Sequence, residues 1–181
     1  MLTAEQLALR KDKLTASRVG ALMGGDEKKI YDLWLEMTDS PDFIPVDLSD
    51  VWPVRLGECT EALNLEFFER AHGLVTRKGA VIYAFEPEWA ACTLDGWADL
   101  LHMPVECKHV GGREPYEVIA ERYGPQTQWL MHCTNAQECA LSVIMGADAP
   151  RIEFLPRDQG YIDEMLSRAE QYMEHVRNKT P

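Results

Sequence analysis

The stretch from Gly73 to Val110 constrains the fold more than any other part of this sequence. Its apolar runs are short and rich in β-branched or aromatic residues, and glycine and proline turns separate them. This pattern predicts three or four strands of an antiparallel meander. Before and after the meander, apolar residues recur at helical spacing, so helices should flank the strands. The sequence therefore predicts a mixed α/β fold.

The elements on either side of the meander follow from spacing and from helix-end residues. Before it we predict short helices within residues 1–40, an acidic loop over 40–53, and a longer helix over 54–72. One of the short helices covers LTASRVGALMGG and is capped by Thr15 or Ser17, and another covers 29–37. After it we predict a helix over 116–122, a second helix opening at Pro125 and ending near 133, buried strands over 138–145 and 151–154, and a terminal helix over 158–179. A length of 181 residues favours one domain.

Composition and charge exclude several classes of protein. The net charge is −12, so the chain should not bind nucleic acid by bulk charge, and any contact must be local or metal-mediated. The five cysteines form no CxxC pair, which argues against a zinc ribbon or an iron–sulfur cluster and favours reduced thiols. No apolar run approaches the length of a membrane span, and MLTAEQLALRKDK lacks the apolar region of a signal peptide. We therefore expect a cytoplasmic protein without a membrane contact.

Two carboxylates and a lysine are predicted to meet on one hairpin. In a strand VECKHV, Glu106 and Lys108 point to the same face. A turn around His102–Pro104 would place Asp95 beside Glu106, and two such carboxylates repel each other unless a cation lies between them. Oxygen ligands of this kind suit Mg²⁺ or Mn²⁺. Spacing alone favours the simpler alternative, a surface hairpin in which Glu106 and Lys108 form a solvated ion pair.

Two further polar residues are predicted to face inward. Glu61 shares a helical stripe with Leu65 and Phe68, where a carboxylate requires a positive partner. An arginine or a metal ion could meet this requirement, and the spacing leaves both open. Gln126 falls in the first turn of the helix predicted to open at Pro125. It could serve as a helix-end partner, or donate to a water or a phosphate oxygen.

Five short motifs follow one another in a fixed order along the chain: LTAS (14–17), GxxxE (Gly57 to Glu61), LDG (with Asp95), ECK (106–108) and YxxQxQ (Tyr123, Gln126, Gln128). Taken together, they resemble the YqaJ-type viral recombinase family, which includes the lambda-type alkaline exonucleases of the PD-(D/E)XK nuclease superfamily. The resemblance extends from about Arg10 to Gly146. It implies a restriction-endonuclease-like core with a mixed central sheet and an antiparallel hairpin meander flanked by helices, and a nuclease core over 54–155.

The resemblance also implies the metal ligands and the catalytic residues. Asp95, Glu106 and the main-chain carbonyl of Cys107 would hold Mg²⁺, for which Mn²⁺ could substitute, and a second ion would lie toward Glu61. Lys108 matches the catalytic lysine of the family. Gln126 matches the glutamine that supports the attacking water and the lysine.

Three more residues match positions that contact DNA in the family. Arg10 and Ser17 have the spacing of the arginine and the TAS serine that hold a 5′-phosphate. Arg113 matches a further arginine with a one-residue gap.

The expected activity is that of a metal-dependent 5′→3′ exonuclease on double-stranded DNA ends, encoded by a phage or prophage. It would expose a 3′ strand for a single-strand annealing protein and would form a homo-trimeric ring. Three features depart from this expectation: the net charge, the short chain, and the acidic loop with Asp42, Asp47 and Asp50. An endonuclease or repair nuclease of the same superfamily, and a catalytically silent module that binds DNA ends, remain alternatives.

Overall fold

The computed structural model describes residues 3–77 and 81–181. Residues 1 and 2, and residues 78–80 of the predicted meander, lie outside the described ranges. The helices within these ranges are α1 (Ala4–Leu9), α2 (Ala16–Met23), α3 (Glu27–Met37), α4 (Trp52–His72), α5 (Tyr116–Thr134) and α6 (Gln159–Asn178). The strands are β1 (Val75–Arg77), β2 (Val81–Tyr83), β3 (Ala91–Thr93), β4 (Gly96–Ala98), β5 (Met103–Val110), β6 (Glu138–Met145) and β7 (Arg151–Pro156).

A five-stranded mixed sheet in the order β1-β4-β5-β6-β7 forms the centre of the fold. Only β5 and β6 pair in parallel, and α5 provides the crossover that a parallel connection requires. The other neighbours pair antiparallel. The strands β2 and β3 form a separate two-stranded sheet. The prediction of a mixed sheet with an antiparallel hairpin, flanked by helices, is therefore confirmed.

The meander was predicted with too few strands and in a single sheet. Between Val75 and Val110 the described residues form five strands, β1 to β5, and these belong to two sheets. The strand β5 also pairs in parallel with β6, a long-range contact that local patterns do not encode. Because β5 has a neighbour on both sides, Glu106 lies on a central strand and is only 5% exposed. The alternative of a solvated surface hairpin is therefore wrong.

The prediction of two helices on either side of Pro125 is also wrong, because α5 runs through the proline. Proline removes one helical hydrogen bond and usually ends or kinks a helix. Here residues on both sides of it are buried, with Tyr116 and Ile119 packed near the sheet before it and Trp129 in the core after it. The Thr127 hydroxyl also donates to the carbonyl of Gly124 over 2.9 Å. Tertiary packing thus holds the helix in one piece.

The helices α4 and α5 cover opposite faces of the central sheet. On one face, Leu65 and Phe68 of α4 pack with Val105. On the other, Tyr116 and Ile119 of α5 pack with Leu141 and Val143 of β6. None of the helices in the described ranges has the length and apolarity needed to cross a bilayer. The candidate active site opens beside β5.

Candidate active site

A cavity of about 420 Å³ opens where β5 meets α2, α4 and α5. Of the nine residues that the sequence singled out, the cavity is lined by seven: Arg10, Ser17, Glu61, Asp95, Glu106, Lys108 and Gln126. Residues separated by almost 120 positions in the sequence thus share one surface. Arg113 is elsewhere, in an exposed turn after β5. The main chain of Cys107 lies between two of the lining residues.

The hairpin of β4 and β5 positions the two central carboxylates. Asp95 directly precedes β4, and Gly96 pairs with Val105, so Asp95 lies next to Glu106 across the hairpin. The main-chain N–H of Cys107 donates to Asp95 Oδ2 over 2.9 Å. A Cβ on Gly96 would approach Val75 Cγ1 to 2.4 Å, so only glycine allows the chain to pass this close to β1. Backbone pairing therefore fixes the Asp95 carboxylate.

Burial and the charge of its neighbour perturb the Asp95 carboxylate. Burial, followed by the charge of Glu106, raises the pKa of Asp95 to about 7, although Lys108 and the Cys107 N–H partly oppose this shift. Glu106 forms an ion pair with Lys108. Two acids held this close favour a cation between them, because a positive charge relieves their repulsion. In the structure the Lys108 ammonium supplies that charge.

Lys108 is held as an ammonium ion by its surroundings. Burial alone would lower its pKa, but the carboxylates of Glu106 and Asp95 outweigh this effect and raise it. Its Nζ also lies 5.1 Å from the ring centroid of Tyr123 on α5, within the range of a cation–π contact. The side chain is thus fixed between an acid and an aromatic ring. In this arrangement Lys108 can donate hydrogen bonds but cannot accept a proton.

Gln126 reaches the cavity from the middle of α5. The prediction that it lies in a first helical turn is wrong, because α5 already begins at Tyr116. Gln126 passes over α2 at Gly20, where an added Cβ would lie 3.2 Å from both Gln126 Cγ and Nε2. Contacts this short force a side chain to move. The absence of a side chain at Gly20 therefore permits the observed position of Gln126.

Arg10 and Ser17 line the same cavity from the N-terminal part of the chain. Arg10 follows α1, and its Nε is buried with no hydrogen-bond partner among the described residues. Burial, together with Arg18, lowers the pKa of Arg10. Arg18 donates to the carbonyl oxygens of residues 10, 11 and 13, which fixes this segment. Ser17 lies in the first turn of α2, after the N-cap residue Thr15.

Thr93 is a candidate that the sequence analysis missed. Its Oγ1 is buried, has no hydrogen-bond partner in the described ranges, and belongs to a residue lining the cavity. Unsatisfied buried donors are uncommon in folded proteins and usually have a reason. The available signal was the position of Thr93, two residues before Asp95 at the end of β3. Two of the residues that line this cavity, Arg10 and Thr93, thus each carry a buried donor without a partner among the described residues.

The donor set for a metal ion is small. Within residues 3–77 and 81–181, no group of three or more histidine, cysteine, aspartate or glutamate side chains is arranged to hold one. The remaining candidates are the Asp95 and Glu106 carboxylates, with Glu61 on the wall of the same cavity. Carboxylate and carbonyl oxygens suit Mg²⁺ or Mn²⁺, which keep several water ligands and need few protein ligands. The raised pKa of Asp95 agrees with such a site.

Comparisons with known proteins agree with this geometry. The model of the YqaJ-like viral recombinase domain family matches residues 5–137. The fold is similar to that of the alkaline exonuclease LHK-Exo from Laribacter hongkongensis, with 18% identity, a TM-score of 0.78, and 98% of this chain and 94% of that chain covered. A phage-related exonuclease from Haemophilus somnus 129PT has 11% identity, a TM-score of 0.71, and 91% and 93% coverage. Comparison with curated proteins gives no match.

These likenesses concern the fold, because the identities are below a quarter. The alkaline exonuclease fold is restriction-endonuclease-like, so the predicted fold class is confirmed.

Proposed function

Because the chain belongs to the YqaJ-like viral recombinase domain family, we propose that it is a metal-dependent exonuclease that degrades the 5′-ended strand of linear double-stranded DNA. The observation that carries this proposal is the convergence of Asp95, Glu106 and Lys108 in one cavity with two unsatisfied donors, Arg10 Nε and Thr93 Oγ1. Asp95, Glu106 and Lys108 have the side-chain chemistry needed for phosphodiester hydrolysis. The donors of Arg10 and Thr93 can hold the end of a strand.

The carboxylates would hold the metal cofactor. Asp95, Glu106 and the main-chain carbonyl of Cys107 would bind Mg²⁺, with Mn²⁺ as a substitute, and Glu61 would contribute to a second ion. When bound, such ions polarise the phosphate and stabilise the charge that develops on the attacking and leaving oxygens. The cavity wall fits this cofactor because Asp95 and Glu106 are adjacent acids, and burial, followed by the charge of Glu106, raises the pKa of Asp95.

The protein groups around the phosphate would orient the reaction. Lys108, charged and fixed against Tyr123, would donate to the attacking water or to a phosphoryl oxygen. The Gln126 amide lines the same wall and would hold that water in place. Orientation of this kind lowers the barrier because the geometry is formed before the reaction. A role of Lys108 as a base would require the bound cations to lower its pKa.

End recognition would come from the second group of residues. The Arg10 guanidinium and the Thr93 hydroxyl have donors left unsatisfied, and Ser17 adds a hydroxyl in the first turn of α2. A charged fork and hydroxyls near a helix N-terminus suit a terminal 5′-phosphate. A cavity that holds such a phosphate would select strand ends over internal sites. This arrangement supports an exonuclease over an endonuclease.

Membership of the family also points to an assembly and to a protein partner. We propose that the chain assembles as a homo-trimeric ring that encloses the duplex, since the net charge of −12 then requires only a locally basic lining. We also propose that the exposed 3′ strand passes to a single-strand annealing protein. The setting would be the cytoplasm of a bacterium that carries the phage or prophage.

The decisive experiment compares digestion of 5′-phosphorylated linear duplex with Mg²⁺ and with a chelator. We expect digestion only with Mg²⁺, and loss of activity in Lys108→Ala. Lys28→Ala is the matched control, because Lys28 is an exposed lysine paired with Asp32 on α3. Undiminished digestion by Lys108→Ala would refute the proposed site. Cleavage of covalently closed circles would favour the endonuclease alternative.

A further inference from the structure

An accessible aromatic side chain contacts the segment that leads into Arg10, a residue that lines the active-site cavity. Tyr83, the last residue of β2, is 43% exposed. Its hydroxyl donates to the carbonyl of Leu9 over 3.4 Å, so the ring is tethered to the end of α1. The next residue in that segment is Arg10, which lines the cavity. Tyr83 therefore contacts the residue that directly precedes Arg10, one of the two cavity-lining residues with an unsatisfied buried donor.

The β2–β3 hairpin connects Tyr83 to the other donor. Val81 pairs with Thr93 and Tyr83 pairs with Ala91. Two residues of a strand span about 7 Å, so Tyr83 lies roughly that far along the hairpin from Thr93. A phosphate held by Arg10 and Thr93 would thus belong to a nucleotide close to the Tyr83 ring.

Local charge near Tyr83 differs from that of the whole chain. Arg10, Lys11 and Lys13 are three cations within four residues, and Asp12 is the acid among them. The Lys13 ammonium lies 5.9 Å from the Tyr83 ring centroid and 3.1 Å from an Asp12 carboxylate oxygen. In a chain of net charge −12, this segment offers a local contact for phosphates. Aromatic rings next to cations are typical of surfaces that bind single-stranded nucleic acid.

A second aromatic residue follows in the adjoining turn. Phe85 is 99% exposed, so it buries essentially none of its surface in the chain. Glu86 and Glu88 follow it, which makes the far side of this turn unsuited to phosphates. Backbone contacts would therefore come from the side of Lys13. The exposed rings would contact bases, which carry no charge.

We propose that Tyr83, with Phe85 and Lys13, forms a stacking platform for an unpaired DNA strand at the mouth of the active-site cavity. The choice of DNA rests on the proposed function, but the platform requires no cleavage. A base next to the phosphate in the cavity would stack on Tyr83, and Lys13 would contact the neighbouring phosphate. Stacking of this kind accepts any base, because every base has a π-face.

The test measures binding of a 5′-phosphorylated single-stranded oligonucleotide by fluorescence anisotropy, with a chelator present so that no strand is cut. Tyr83→Ala should weaken binding roughly 5- to 150-fold, the range expected for loss of one base stack. Tyr83→Phe should bind like the wild type, since it keeps the ring. A loss in Tyr83→Phe equal to that in Tyr83→Ala would overturn the stacking role.

The matched control is Tyr31→Ala. Tyr31 is 47% exposed and lies on α3, where it stacks on Trp34. Its replacement should leave the affinity unchanged, and an equal loss in both alanine variants would overturn the proposal. Lys13→Ala should reduce the slope of log affinity against log salt by about 0.7, the value for one phosphate contact on a single strand. Circular dichroism melts confirm that each variant is folded.

The two proposals fail in different ways. A wild-type protein that binds the strand through Tyr83 but digests no duplex in Mg²⁺ would refute the nuclease and leave the platform standing. If the wild-type protein digests duplex and Tyr83→Ala binds the oligonucleotide as tightly as the wild type, the platform alone is refuted. Absence of measurable single-strand binding by the wild type would also refute the platform.

Discussion

The Asp95 carboxylate accepts a 2.9 Å hydrogen bond from the main-chain N–H of Cys107, the residue between Glu106 and Lys108. One backbone group thereby fixes the position of the first acid relative to the second acid and the lysine. The carboxylate keeps an oxygen for other partners, because Oδ2 accepts this bond. The hairpin consequently sets the relative positions of Asp95, Glu106 and Lys108.

The raised pKa of Asp95 predicts a pH dependence of stability in the metal-free protein. Its pKa rises from 3.8 in the unfolded reference to about 7 in the folded chain, so the folded state binds the proton more tightly. The resulting stabilisation is present at low pH and is lost as the pH rises from about 4 to 7. Over this window the stability of wild type relative to Asp95→Asn should fall by more than about 1.4 kcal/mol, the equivalent of one pKa unit.

Urea denaturation in a chelator at several pH values between 4 and 8 measures this difference. Asn at position 95 retains an oxygen that can accept from the Cys107 N–H, so the hairpin contact survives. Asp99→Asn serves as the control, because Asp99 is exposed and bonds only to Thr76 among the contacts described. Curves for wild type and Asp95→Asn that remain parallel across the window would contradict the prediction.

The effect of substitutions on metal binding should distinguish the metal-ligand residues from Lys108. Titration calorimetry with millimolar Mg²⁺ or Mn²⁺ should give heat with the wild type and none with Glu106→Gln. Lys108→Ala should bind the ion at least as well as the wild type, because the ammonium that pairs with Glu106 competes for the same carboxylate. Absence of heat with the wild type would favour the catalytically silent module.

The local part of the site could be predicted from the sequence. Alternation along a strand places Glu106 and Lys108 on one face, and a short turn brings Asp95 beside them, so neighbouring residues carry the information. The helix over 54–72 was likewise predicted to within two residues of α4. Such features depend on periodicity and on turn residues.

The remaining part depends on long-range packing. Pro125 is a helix breaker by local rules, and only burial on both sides of it keeps α5 continuous. Thr93 is an ordinary strand residue until the fold buries its hydroxyl and places the residue on the same cavity lining as Arg10. The cavity brings seven of the nine predicted site residues together, but the roles of all nine, Arg113 and the carbonyl of Cys107 included, stay predictions.

Gly20→Ala should reduce nuclease activity without reducing stability. The added Cβ would lie 3.2 Å from Gln126 Cγ and Nε2, so the glutamine must shift from its position on the cavity wall. Alanine inside a helix is otherwise favoured over glycine by about 0.5–1 kcal/mol. Gly57→Ala is the control, since Gly57 lies within α4 and its Cβ would meet nothing within 4 Å. Equal digestion rates for both variants would show that Gln126 need not remain in place.

A buried polar pair joins the helix that carries Glu61 to the central strands. Asn64, only 2% exposed, donates from Nδ2 to the carbonyl oxygens of Ser142 at 2.9 Å and of Lys108 at 3.4 Å. The Ser142 hydroxyl donates to Asn64 Oδ1 over 2.6 Å. These contacts lie next to an otherwise apolar cluster of α4, β5 and β6.

Removing both partners of this pair should cost less than the sum of the losses from removing each one alone. Asn64→Leu leaves the Ser142 hydroxyl buried without its acceptor, which should lower the free energy of unfolding by about 1–3 kcal/mol. The double variant Asn64→Leu/Ser142→Ala loses the orphaned hydroxyl, so its loss should be smaller than the sum of the two single losses. Urea denaturation of the four proteins gives the coupling energy. Asn178→Leu, at the exposed end of α6, should change the stability by less than about 0.5 kcal/mol. Strictly additive losses would mean that the pair contributes no specific contact between α4 and the strand that carries Lys108.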